Sequence, residues 1–359
     1  ALKRVNKGKA CGLDGIAAEH FIFAHPIIHV LLSMLFNCML IHGHLPKSFM
    51  LSAIVPIVKN KTGDTMSKNN YRPVAIVSPC SKILEAFILN RIDGMLFSSD
   101  HQFGFKSHHS TDLCIFALKS VTNYYLDLHS PVSSCFLDAS KAFDRVNHLT
   151  LLKKMINCNV PLPIVNILCK WYRSQDVLIR WGSTLSNVFN VSNGVRQGSL
   201  LSPKLFTLYM NDLSVELNNS STGCFLNNVC TNHLFYADDI CLLAPSSSAL
   251  QKLLNICFSY GIEHDIVFNS SKSFHLVFKP RNCTYILPRV YLNSVMLPLV
   301  NETKYLGVIL DNNLCDDVEI KNQYCRLYAR SNTILRKFKH CTLEVKKTIV
   351  FKLLYKFLL

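Results

Sequence analysis

The stretch HLFYADDICLLAP at 233–245 restricts this chain more than any other. Leu234, Phe235, Ile240, Leu242 and Leu243 call for a core, yet Asp238 and Asp239 sit side by side among them. Residues 234–244 therefore read as two strands joined by a turn near the acids. An ionised carboxylate in apolar surroundings is expensive unless a positive group joins it. Two adjacent carboxylates also raise each other's pKa. A divalent cation removes both difficulties, and Mg²⁺ in particular is held by one or two carboxylates plus substrate phosphates.

Such a site needs a third carboxylate from elsewhere in the chain. The segment SCFLDASKAFDRV supplies one, because Asp138 ends a short apolar strand over 132–137. If that strand neighbours the 234–244 pair, three carboxylates meet at one sheet edge. Two-metal phosphoryl-transfer sites hold ions roughly 3.5–4 Å apart in such a setting. The plainer alternative is that Asp138 caps the following helix while Asp238 and Asp239 form a polar turn.

The rest of the chain alternates irregularly between the two periods. A helix is predicted over 110–128, capped by Ser110 or Thr111, with Leu113, Phe116, Ala117, Val121 and Tyr124 on one face. Strands at 176–181 and 187–192 flank a turn at 181–183. Ser202 is the expected N-cap and Pro203 the first residue of the next helix, with Leu205, Leu208, Tyr209 and Leu213 as its buried stripe. Residues 249–260 repeat Leu250, Leu253, Leu254 and Cys257 at helical spacing. Strands follow near 274–279 and 304–310, then a basic helix over about 317–339. A polar, basic loop occupies 59–72. The order suits an α+β fold of antiparallel hairpins with helices on one side.

The apolar run 26–41 is broken by His29, Ser33 and Asn37 and falls short of the roughly 18–20 residues of a membrane span, so it reads as a buried helix. No signal peptide is visible, so an intracellular residence is expected, nuclear or cytoplasmic, with no membrane partner. The chain starts at Ala1 and stops in KLLYKFLL, which reads as a fragment of something longer. Its 15 cysteines never stand at CxxC spacing, which argues against a zinc finger and for small core residues in a reducing compartment. The net charge of +15 favours anionic partners, nucleic acid first. From Lys321 onward there are ten Lys or Arg against Glu344 alone. No GxxxxGK[ST] occurs, so a P-loop NTPase is excluded.

FLDASKAFD, RQGSLLSP and FYADD occur in that order, and together with their flanks they resemble the reverse transcriptase domain of a non-LTR (LINE-like) retrotransposon. GKACGLDGI at 8–16, IVPIVKN at 54–60, NYRPVAIVSPCSKILE at 70–85, QFGFKSHHST at 102–111, FNSSKS at 268–273 and KYLGVIL at 304–310 extend the likeness over nearly the whole chain. The resemblance implies a right-hand polymerase fold, with residues 1–129 mainly fingers, 130–312 palm and 313–359 a truncated thumb. It implies an RNA-templated DNA polymerase extending a primer 3′-hydroxyl with dNTPs. An intron-type reverse transcriptase, an RNA-templated RNA polymerase and an inactive nucleic-acid-binding relic are the rivals.

By the same resemblance Asp138, Asp238 and Asp239 are the catalytic acids and hold two Mg²⁺ ions, with Mn²⁺ as a substitute. Lys59 and Arg72 meet the triphosphate, a duty for which Arg suits bidentate contact. Phe143, five residues after Asp138, is the aromatic gate beneath the sugar. Gln197 and Gly198 lie against the incoming nucleotide and template, and Lys272 protonates the leaving pyrophosphate. Arg196 is left outside the phosphate set. Tyr305, Leu306 and Gly307 resemble the primer grip. The basic 321–356 segment is expected to clasp the template–primer duplex through phosphates, with affinity that falls steeply with salt. RNA template, DNA primer and dNTPs are thus the expected partners, with the oligomeric state open.

Overall fold

The computed structural model describes residues 1–280 and 288–354. Two sheets organise it. The first joins β1 (Ser52–Val58) to β2 (Tyr71–Val77) as an antiparallel hairpin, and β4 (Asp176–Trp181) lies parallel to β1. The expected partner strand at 187–192 is reduced to two short pairings on β4, by Thr184–Leu185 and Phe189–Asn190. The 59–70 connection is closed by Asn60 and Asn70, whose amides bond each other's segment, so a polar loop holds its shape without a core.

The second sheet has five strands in the order Leu299–Val300, β7 (Phe274–Phe278), β3 (Val132–Asp138), β6 (Asp239–Ala244) and β5 (His233–Tyr236). β3 runs antiparallel to both β6 and β7, and residues 132–137 are buried throughout. Alternation along the strands divides them between two cores. Cys135, Leu137, Ile240 and Leu242 face one cluster, and Val132, Phe136, Cys241 and Leu243 face the other. Helices therefore cover both faces of this sheet, not one as expected. α4 (His148–Asn157), α5 (Leu162–Arg173), α6 (Ser202–Asn219) and α7 (Ser247–Glu263) fill the larger side, with α2 (Pro79–Ile92) beyond them. α3 (Thr111–Asp127) closes the other. A strand apolar on both faces requires this double covering. Each fully buried large side chain contributes about 1.5–3 kcal/mol.

α3 is capped by Ser110, whose Oγ accepts from Leu113 N at 3.2 Å. Its buried face is Cys114, Ile115, Leu118 and Val121, whereas the expected Leu113, Phe116 and Tyr124 stand exposed. Apolar residues surround this helix, so two faces fit the period. The sheet accepts the narrower one, where the Cys114 thiol meets the Tyr305 hydroxyl. α6 also starts differently from expectation. Ser199, not Ser202, accepts from the first free amides, those of Leu201 and Ser202. Its predicted stripe of Leu205, Leu208, Tyr209 and Leu213 is fully buried. α7 buries Leu250, Leu253, Leu254 and Cys257 as the spacing required.

The run 26–41 does form a helix, α1 (Pro26–His42), but only Phe36 and Met39 are buried. Ile27, Val30, Leu31, Met34 and Ile41 are exposed, which corrects the expectation of a buried helix. No helix among the described residues is long and apolar enough to cross a membrane. The 304–310 segment is a hairpin, not one strand: β8 (Glu302–Tyr305) turns into β9 (Val308–Asp311). The basic C-terminal segment forms α8 (Asp317–Lys337) and α9 (Leu343–Leu354). Its expected extension over 355–359 lies outside the described residues, as does Cys283. The described cysteines are all free thiols, with Cys114, Cys135, Cys224, Cys241 and Cys257 buried as small core residues.

Candidate active site

Pairing of β5 with β6 matches Tyr236 to Asp239 and leaves Ala237 and Asp238 as a two-residue turn. Ala237 takes φ 58°, a conformation that tight hairpins need and that glycine more often supplies. The same β6 pairs with β3 so that Asp239 lies directly opposite Asp138. A carboxylate a hundred residues upstream thus faces the adjacent pair across one step of the ladder. Directly opposed antiparallel residues have Cβ atoms about 4.5–5.5 Å apart.

Both side chains of the pair are exposed at the sheet edge. Partial desolvation by the surrounding strands still raises the Asp238 carboxyl, with Asp138 adding to the rise and Arg72 opposing it. Asp239 is pushed up to about 6, first by desolvation and then by Asp238 and Asp138. Three mutually repelling carboxylates suit a hard divalent cation in charge and in oxygen chemistry. Among the described residues no three His, Cys, Asp or Glu side chains are already drawn together around one ion position.

Asp138 is held from behind. Its amide donates to Ser273 Oγ at 3.2 Å, its carbonyl accepts from Asn269 N at 2.9 Å, and Ser273 Oγ donates to Asn269 O at 2.7 Å. The FNSSKS segment therefore fixes the strand end, and Ser273 was not among the residues singled out from sequence. Its neighbour Lys272 is exposed and lines a concavity of about 180 Å³ together with Asp138, Asp239, Lys304, Tyr305 and Leu306. Lys304 is a second cation there that the motif reading passed over.

Arg72 is exposed on β2, and its charge acts on Asp238. Lys59 is exposed at the end of β1, where its Nζ donates to Asn69 O at 3.3 Å. Its charge acts on Asp144 instead of the aspartate triad. Gln197 belongs to that second group, for its Nε2 donates to Asp144 Oδ1 at 2.9 Å. Desolvation raises the Asp144 carboxyl, and the Gln197 bond followed by Lys141 and Lys59 opposes the rise. Phe143 stacks on Phe206 with ring centroids 4.5 Å apart and takes Phe105 edge-on at 6.1 Å. Arg196 is buried over the Trp171 ring near Glu85, so it faces the interior and no phosphate.

Gly198 has φ 108°, and a Cβ there would lie 2.9 Å from Ala75 O. Gln197 O accepts from Ala75 N at 2.9 Å, which laces this loop to β2. Gly198→Ala should therefore lower stability by about 1–3 kcal/mol and displace the loop. A melting temperature reduced by a few degrees, read by circular dichroism, checks the expectation, and an unchanged melt would contradict it.

Of the β8–β9 residues, Tyr305 packs in the core against Phe136, so its ring is structural. Leu306 and Gly307 form the hairpin turn, with φ 47° and 94°. The left-handed conformation accounts for Gly307 by itself, since nothing lies within 4 Å of its missing Cβ. The structure thus brings Asp138, Asp239, Lys272, Tyr305 and Leu306 to one concavity, leaves Asp238 in the adjoining turn within electrostatic reach of Arg72, ties Lys59 and Gln197 to Asp144 beside Phe143, sets Gly198 against β2, and puts Gly307 at a hairpin tip.

Known proteins share this arrangement of sequence and fold. The chain is 28% identical over 340 residues to a probable RNA-directed DNA polymerase from transposon X-element of Drosophila melanogaster, covering 91% of this chain and 36% of that protein. It is 30% identical to the RNA-directed DNA polymerase from mobile element jockey of Drosophila funebris, over 79% of this chain and 31% of that protein. The chain spans about a third of the length of these curated relatives. Apo telomerase from Candida tropicalis truncated from its C-terminal domain shares the fold at TM-score 0.52 and 10% identity, over 80% of this chain and 59% of that one. The mixed helix-and-sheet architecture is the right-hand polymerase fold. Residues 58–310 match the family described as reverse transcriptase (RNA-dependent DNA polymerase), and the chain belongs to that family.

Proposed function

We propose that this chain is the polymerase portion of a non-LTR retrotransposon protein, extending a DNA primer 3′-hydroxyl with dNTPs on an RNA template. The observation that carries the reading is the β3–β6 register, with Asp138 opposite Asp239 and Asp238 in the adjoining turn. The three carboxylates would hold two Mg²⁺ ions, or Mn²⁺ in their place. When bound, such ions lower the pKa of an attacking hydroxyl and neutralise charge on the leaving phosphate.

The chain's own residues do the positioning. Arg72 offers a bidentate guanidinium to the triphosphate from β2, with Lys59 beside it. Phe143 gives the sugar an apolar floor with no partner for a 2′-hydroxyl. Gln197, its amide fixed by Asp144, bears on the nascent base pair, and Gly198 keeps that loop against β2. Lys272, exposed beside Asp138 and Asp239, is the proton donor to the pyrophosphate. Leu306 and Gly307 meet the primer backbone. Residues 1–129 act mainly as fingers, 130–312 as palm and 313–359 as the beginning of a thumb. α8 presents Lys321, Arg326, Arg330, Arg336 and Lys337 to duplex phosphates, a sequence-independent contact. RNA and dNTP substrates imply work inside the cell.

Primer extension tests this. The purified chain with Mg²⁺, dNTPs and a DNA primer annealed to RNA should lengthen the primer, and raising salt from 50 to 200 mM should weaken template–primer binding steeply, by roughly 10³-fold or more. No extension with Mg²⁺ or Mn²⁺ would reject the reading.

A further inference from the structure

The hairpin carrying Asp238 and Asp239 does not stand alone. Residues 101–103 run beside β5 and exchange backbone bonds with it. Phe235 N donates to His101 O and Phe103 N to Phe235 O, each at 2.8 Å. The intervening Gln102 is 3% exposed. Its Oε1 accepts from Ala237 N at 3.2 Å and from Gly104 N at 2.8 Å. Ala237 is the turn residue at φ 58°, immediately before Asp238. Gly104 presses on the same amide so closely that a Cβ would lie 2.4 Å from Ala237 N.

Two further contacts tie this strap into the palm. Ser99 N donates to Asn211 Oδ1 on α6 at 2.8 Å. Phe105, itself at φ 59°, meets the edge of Phe143. A buried side-chain carbonyl thus caps an otherwise unpaired turn amide, and it does so behind the acids, away from solvent. An amide left unpaired there costs about 1–3 kcal/mol, which a two-residue turn with a left-handed alanine has little reserve to absorb.

We propose that Gln102 is a positioning residue for the metal-binding acids: through Ala237 N it sets where the Asp238 and Asp239 carboxylates point. The proposal rests on the polymerase reading and deepens it. Supporting groups behind metal ligands typically change metal affinity or activity by about 10–100-fold when removed. Gln102→Met keeps the length and volume and deletes the acceptor. Gln102→Glu keeps an acceptor for both amides.

Mn²⁺ binding to each protein, read from free-ion electron paramagnetic resonance, should weaken about 10-fold in Gln102→Met. In extension assays the Mg²⁺ concentration for half-maximal rate should rise by a similar factor, with the KM for dNTP unchanged. Gln102→Glu should restore Mn²⁺ affinity to within about 3-fold of the parent, because a second-layer acceptor is all the turn requires. A folded Gln102→Met that binds Mn²⁺ like the parent would overturn the proposal. If Gln102→Met does not fold, Gln102→Glu decides: parental Mn²⁺ affinity supports the role, and tenfold weakening overturns it. Absence of extension by the parent chain indicts the polymerase reading instead, and leaves the Mn²⁺ comparison to judge Gln102.

Discussion

Asp239→Asn should abolish Mg²⁺-dependent dNTP incorporation, by about 10³-fold or more, while the protein stays folded. A divalent ion contributes several kcal/mol of charge stabilisation to phosphoryl transfer. At 1.36 kcal/mol per factor of ten, about 4 kcal/mol is that loss. Asp239 stands directly opposite Asp138, so an amide there weakens the shared donor set at its centre. The fold should gain. Desolvation raises both carboxyls of the pair, and Asp238 and Asp138 add to the rise at Asp239, so neutralising Asp239 removes repulsion at that position.

The sign of the pH dependence follows. The Asp239 carboxyl titrates near 6 in the folded protein and near 3.9 in an unfolded chain. Between those values the folded state holds a proton that the unfolded state has released, so this group makes stability fall as pH rises through the window. Without divalent ions, Asp239→Asn should melt higher than the parent at pH 7, and the difference should vanish toward pH 4. Mg²⁺ should stabilise the parent and not the variant. A variant that melts lower at pH 7, or that keeps incorporating dNTPs, would refute the shared-site assignment.

The acids were legible because their surroundings were wrong for them. Two carboxylates inside HLFYADDICLL, and one closing SCFLD, each break an apolar pattern, and the end of a strand, where side chains reach solvent, is where such breaks are tolerated. The register that joins them is a long-range pairing, and no local period specifies it. The helix facing was legible for α7, whose polar residues leave one apolar stripe, and in part for α6, where the expected stripe is buried together with Phe206, Thr207 and Met210. It failed for α3, where apolar residues encircle the helix and the sheet chose Cys114 and Leu118. It failed again for α1, whose apolar residues remain outside. Supporting residues were the least visible. Gln102, Asp144 and Ser273 are unremarkable polar side chains in sequence, and each matters only through a partner 135, 53 or 135 residues away. Tyr305 shows another side of this. The motif position said nothing of its packing, and its buried ring rests on Phe136 while the residue also lines the concavity of Asp138 and Asp239.

Phe143→Ala should let ribonucleotides in. The Phe143 ring is half-buried, five positions beyond Asp138, and Asp144 next to it fixes the Gln197 amide. Its back rests on Phe206 in a near-parallel stack with planes 17° apart, so the ring cannot drop away from a bulkier sugar. In the proposed gate the phenyl ring would offer a 2′-hydroxyl neither space nor a hydrogen bond. Burying a hydroxyl without a partner costs about 1–3 kcal/mol, and steric exclusion adds to it. Truncation to Ala opens the space, so the ratio of kcat/KM for dNTP over rNTP should fall by roughly 10–100-fold.

The dNTP rate itself should change less, because Arg72, the residue proposed to meet the triphosphate, lies on another sheet. Stability should fall by less than the about 3–5 kcal/mol of a fully buried Phe→Ala change, since part of the ring is already in solvent. Phe143→Leu separates packing from gating. It keeps contact with Phe206 but narrows the floor, so its discrimination should lie between parent and Ala. Phe206→Ala provides the complementary case, removing the support while leaving the gate: discrimination should weaken there too, if rigidity of the floor is what excludes the hydroxyl. A folded Phe143→Ala protein that rejects rNTPs as well as the parent does would remove Phe143 from the sugar site and return it to the core.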